Sequence, residues 1–66
     1  MTTTGPDLRA ERRAADVTVV DLAARMGISR QALTVLEGRA VLTVERVEQY
    51  RSALRDAIEA SRGAVA

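Results

Sequence analysis

Residues Val19 to Gly38 read VVDLAARMGISRQALTVLEG, and this stretch decides the fold. Leu22, Ala23 and Met26 recur at helical spacing, and so do Leu33 and Leu36 after them. Between the two apolar sets stands Gly27-Ile28-Ser29. Gly27 supplies the positive φ that often follows a helix, and Ser29 is a good acceptor for the free N–H groups of the next one. Two short helices joined by a three-residue turn are therefore expected, Val19 to Met26 and Arg30 to Glu37. Ile28 serves as a buried connector, and Ala23 stays small because the next helix crosses close by.

Outward from this core, Thr18 is a natural N-cap, and Asp21 three residues on completes a capping-box pattern. Pro6 suits a first helical turn and Asp7 its positive dipole end, so a helix is expected from Pro6 to about Ala15. Leu8, Arg12 and Ala15 share one face of it, a narrow stripe that covers a core rather than forming one. Asp16 and Val17 read as a turn. Residues 1–5 read as a disordered lead, 6–61 as the domain and 62–66 as a flexible tail. Downstream, Gly38 to Leu42 is a loop and Thr43 caps a further helix. Its stripe of Val47, Tyr50, Leu54 and Ile58 runs to about Ser61, with a break near Leu54 an option. The fold class is all-α, a small bundle of four to five helices.

Composition narrows the function. The chain has 66 residues, room for one domain whose core must be aliphatic, since it holds a single Tyr and no Phe or Trp. Cys and His are both absent, which removes disulfides, thiolate or imidazole metal sites and imidazole catalysis. The remaining carboxylates form no recognisable catalytic frame, so no enzyme, cofactor or small-molecule substrate is expected. No apolar run reaches the length of a membrane span and the N-terminus is polar, so the chain reads as cytoplasmic with no membrane partner. Net charge is only +1, but it is unevenly placed. Residues 22–39 hold Arg25, Arg30 and Arg39 against Glu37 alone, whereas the flanking segments are close to balanced.

With these landmarks in place, the chain resembles the Cro/repressor-type helix-turn-helix proteins, the XRE family of phage and bacterial regulators. The resemblance covers about Leu8 to Leu54. It rests on Thr18-x-x-Asp21-Leu22-Ala23, the turn Gly27-Ile28-Ser29, the stretch Leu33-Thr34-x-Leu36-Glu37, and Thr43-Val44-Glu45 with Val47 opening the next helix. Three positions depart from the family pattern. Val19 stands where Gln is frequent, Gly38 comes one place early, and Arg51 occupies a site that is usually small and apolar.

The resemblance implies a lambda-repressor-like domain that binds double-stranded DNA as a homodimer, with the third helix in the major groove. Arg30, Gln31, Thr34 and Val35 would then read bases: Arg30 on guanine, Gln31 on adenine, Val35 or the Thr34 methyl on thymine. Ser29, Arg25 and Arg39 would contact phosphates. Leu54 and Ile58 are the expected dimer contact. Two alternatives share the fold: the antitoxin of a toxin–antitoxin pair, and an anti-repressor type of module whose partner is a protein rather than DNA.

Overall fold

The computed structural model describes residues 3–65, the last three by backbone alone. Four helices follow one another and no strand occurs among these residues: α1 (Gly5–Ala14), α2 (Val19–Met26), α3 (Arg30–Glu37) and α4 (Val44–Val65). The helices make a small all-α domain. α3 rests on α1 and α2, and α4 lies across α1 and α2 as well. Leu8, Leu22, Leu33 and Tyr50, one from each helix, are wholly buried at the centre. Val17, Ala23, Leu36, Ala53, Leu54 and Ala57 complete the core. Ile28 is half-buried at its edge rather than enclosed.

Several boundaries differ from the sequence reading, each for a physical reason. α1 starts earlier than Pro6. Thr4 is its N-cap, with the Thr4 hydroxyl accepting from the Asp7 N–H and the Asp7 carboxylate accepting from the Thr4 N–H. The reciprocal capping box is therefore here and not at Thr18, whose hydroxyl accepts from the Asp21 N–H while the Asp21 carboxylate turns to Arg25. The expected disordered lead is thus replaced at Thr4 and Gly5 by structure, while Met1 and Thr2 lie outside the described residues.

Gly5 explains why the start of α1 is fixed. Its N–H donates to the Arg39 carbonyl at 2.7 Å, and a Cβ there would sit 2.5 Å from the Leu36 carbonyl oxygen and 2.7 Å from the Glu37 carbonyl. The beginning of α1 thus abuts the end of α3, backbone to backbone. Asp16 takes the left-handed conformation (φ 59) that ends α1, and Val17 drops into the core instead of staying in a surface turn. At the other end, α4 is unbroken at Leu54 and continues past Ser61 to Val65, so the flexible tail expected over 62–66 is helical to that point. Ala66 lies outside the described residues.

α1 does more than cover a core. Arg12 and Glu37 are both buried and face each other, with Arg12 Nε 2.8 Å from Glu37 Oε2 and a second guanidinium nitrogen 3.3 Å from Oε1. The remaining terminal nitrogen donates to the Val17 carbonyl at 2.9 Å. From α4, the Tyr50 hydroxyl donates to Glu37 Oε2 and also lies 3.1 Å from the Leu8 carbonyl. Burial, with the carboxylate alongside, pushes the Tyr50 phenol well above its ordinary range. Hydrogen bonding to the Glu37 carboxylate favours the charged Arg12 guanidinium and raises it, against the lowering effect of burial. No buried side-chain nitrogen or oxygen among the described residues lacks a partner.

Glu37→Ala leaves Arg12 buried and unpaired, so it should lower stability by about 3–5 kcal/mol in chemical denaturation. The double variant Arg12→Met/Glu37→Leu should recover most of that loss. A double variant as unstable as the sum of the singles would show that the pair is not a unit. Gly5→Ala should lower stability by about 1–3 kcal/mol through overlap with the α3 carbonyls. Gly27 has nothing within 4 Å of a Cβ and sits at φ 71, so Gly27→Ala should act only through backbone strain, and Gly27→Asn should be milder than Gly27→Ala.

Candidate nucleic-acid interface

The α2–α3 unit is built from its caps. Gly27 ends α2 in the left-handed conformation, and the Ile28 N–H closes the turn onto the Ala23 carbonyl at 3.0 Å. The Ser29 hydroxyl then accepts from the Ala32 N–H at 3.1 Å, which caps α3. Its own proton remains free to donate outward. Leu33, Leu36 and Glu37 take the inner face of α3, and Arg30, Gln31, Ala32, Thr34 and Val35 are exposed.

The four residues expected to read bases therefore lie together on one exposed helix face. Thr34 spends its hydroxyl proton on the Arg30 carbonyl at 3.0 Å, which leaves its methyl as the group turned to the surroundings. Val35 is 59% exposed, as is Val20 on α2, with Val41 and Val44 more exposed still, and it is the apolar contact that the outer face of α3 offers. Gln31 is exposed, and its side chain takes part in no hydrogen bond among the described residues. Arg30 forms no ion pair among the described residues.

The expected phosphate contacts divide. Ser29 and Arg39 are exposed beside α3. Arg25 is exposed too, but its Nε donates to the Asp21 carboxylate at 3.1 Å, one turn back on α2. A phosphate would have to compete with Asp21 for this guanidinium, so Arg25 is the weakest of the three.

Arg46 was missed by sequence reasoning. It sits in the first turn of α4, where the Thr43 hydroxyl accepts from its N–H at 3.2 Å. A groove of about 300 Å³ runs beside α3, floored by Ile28, Ala32, Val35, Leu36 and Leu42, and Arg39 and Arg46 both line it. The signal in the sequence was the Thr43 cap, which fixes where α4 begins and hence brings its first cation back toward α3.

The charge of this face follows from Glu37. It is the only carboxylate between Leu22 and Leu42, and the fold takes it into the interior against Arg12. The exposed charges of that segment are then Arg25, Arg30 and Arg39, all positive. The two residues expected at a dimer contact differ in exposure. Leu54 is 6% exposed and belongs to the monomer core, so it has little surface to offer, whereas Ile58 is half-buried at the core's rim. Tyr50 is core. Among the described residues no helix is long and apolar enough to cross a membrane.

Comparison with protein-family models, with curated proteins and with solved structures finds no match for this chain.

Proposed function

We propose that this protein is a sequence-specific regulator that binds double-stranded DNA, with α3 as the reading helix of a lambda-repressor-like helix-turn-helix of the Cro/repressor type. The observation that carries the reading is the outer face of α3: Arg30, Gln31, Thr34 and Val35 exposed side by side, with the segment's one carboxylate withdrawn into the core. These are hydrogen-bonding and methyl groups of the kind that distinguish base edges in a major groove. An anionic duplex meets no exposed negative charge from Leu22 through Leu42.

On this reading, Arg30 donates two hydrogen bonds to guanine O6 and N7, and Gln31 pairs with adenine N6 and N7. Val35 and the Thr34 methyl pack on thymine methyls. Ser29, Arg39 and Arg46 hold phosphates on either side of the groove and set the depth of α3, while Arg25 contributes after releasing Asp21. The α3 groove between Arg39 and Arg46 accommodates the backbone that flanks the base contacts. Two copies would present two such helices to an operator, with half-sites about one helical turn apart.

Selection from a random pool of duplexes tests this directly. An enriched site that loses information at one base pair per half-site in Gln31→Ala is the expected result. No enrichment at low salt, where phosphate attraction alone should register, would overturn the reading. Arg39→Ala and Arg46→Ala should each weaken binding to every sequence alike and flatten the slope of log K against log salt by about one unit. A change of preferred sequence in either variant would move that arginine from the phosphates to the bases.

A further inference from the structure

A second groove, larger than the one beside α3, lies between α1 and α4 and involves neither α2 nor α3. It has a volume of about 930 Å³. Its apolar part is Ala14 of α1, Ala15 just past its end, and Val47, Leu54 and Ile58 from α4. Charged residues of both signs stand over it. Glu11 and Arg51 join its walls through a bidentate ion pair at 2.7 and 3.2 Å. Glu48 and Arg55 are exposed on α4 and take part in none of the ion pairs found among the described residues.

We infer that this groove is the surface on which a second copy of the chain docks, α4 against α4 in antiparallel fashion about a two-fold axis. The argument is charge complementarity with itself. Glu48 and Arg55 are seven residues apart, two helical turns, and therefore lie on one face of α4. A two-fold axis passing between Arg51 and Ser52 sets Glu48 against the partner copy's residue 55, and Arg55 against its residue 48. The two unpaired charges of each chain become two symmetric ion pairs, as an isologous contact requires. A partner with one sign of charge would satisfy only one member of each pair. Ser52, Ala14 and Ala15 are small enough to let the backbones approach beside the Glu11–Arg51 bridge, and Val47, Leu54 and Ile58 supply the apolar floor. The α4 helix suits the role in length, since its 22 residues extend about 33 Å and run beyond Ala57, its last fully buried position.

This surface leaves the outer face of α3 free, so it deepens the reading above by naming how two reading helices are joined, yet it rests on packing and charge and not on DNA binding. Sedimentation equilibrium of the whole chain, without DNA, tests it through a charge swap. Glu48→Arg and Arg55→Glu should each weaken self-association about tenfold or more, since each sets like charges against each other twice. The double variant Glu48→Arg/Arg55→Glu should restore it. A wild-type chain that stays monomeric at millimolar concentration overturns the proposal. So does a dimer that neither single variant weakens, or one that the double variant fails to restore. Circular dichroism melts of the same variants, altered only at exposed positions, should match wild type extrapolated to the monomer. Binding to a duplex carrying a single half-site should be unchanged in the monomeric variants, which separates failure of the dimer surface from failure of the DNA reading.

Discussion

The buried ion pair between Arg12 and Glu37 is the constraint on which the rest of this small domain depends. A carboxylate at the C-terminal end of a helix faces the negative pole of that helix, an unfavourable place. Glu37 is the last residue of α3 and is also buried, which adds desolvation to the unfavourable dipole. Arg12 offsets both. It lies in the last turn of α1, where a cation is favoured, and its guanidinium meets Glu37 in the fork geometry that carboxylates accept best. Tyr50 then brings α4 to the same oxygen. Three helices converge on one carboxylate, and its burial is tolerable only because several donors reach it together.

The same junction sets the angle of α3. Glu37 is pinned by Arg12 from one side and Tyr50 from another, and two residues further the Arg39 carbonyl accepts from the Gly5 N–H. At the other end, the Ser29 cap and the Gly27 turn tie α3 to α2. A helix of eight residues has little stability of its own. Its orientation comes from these end contacts and from Leu33 and Leu36 beneath it, so its outer face can be given over to groups that serve no packing purpose. Arg30, Gln31, Thr34 and Val35 are all exposed there.

Much of this was legible in the sequence because it depends on local chemistry. The spacing of Leu22, Met26, Leu33 and Leu36, the glycine at 27 and the hydroxyls at 18, 29 and 43 place α2, α3 and the start of α4 close to where they are found. What was not legible depends on contacts distant in the chain. Arg12 sits on the Leu8 face of α1, but nothing local says that a carboxylate 25 residues away will meet it. Gly5 looks like part of a polar lead until the end of α3 is set against it. Arg51 stood out as a charge in an apolar position, and its partner Glu11 lies on another helix, 40 residues away. The exposure of Arg30, Gln31, Thr34 and Val35 follows from the spacing, since residues opposite Leu33 and Leu36 must face outward, and Ala32 is exposed with them. Arg46 escaped because its place beside α3 depends on the path of the loop from Gly38 to Leu42.

Glu37 also links stability to surface charge. The chain as a whole is nearly neutral, which argues weakly for any anionic partner. Net charge, however, counts buried and exposed groups alike. Once Arg12 and Glu37 neutralise each other inside, and Asp21 and Arg25 pair on α2, the charges beside α3 are Arg30, Arg39 and Arg46, with Glu45 the exposed carboxylate next to the last of them. An exposed carboxylate at the end of α3 would lie within a Debye length (about 8 Å at physiological salt) of any phosphate that Arg39 held, and would cancel part of its attraction. Drawing that carboxylate inward both closes the core and leaves Arg30 and Arg39 as the exposed charges of α3 and its end. A substitution at Arg12, remote from the exposed face, would release Glu37 and disturb both at once.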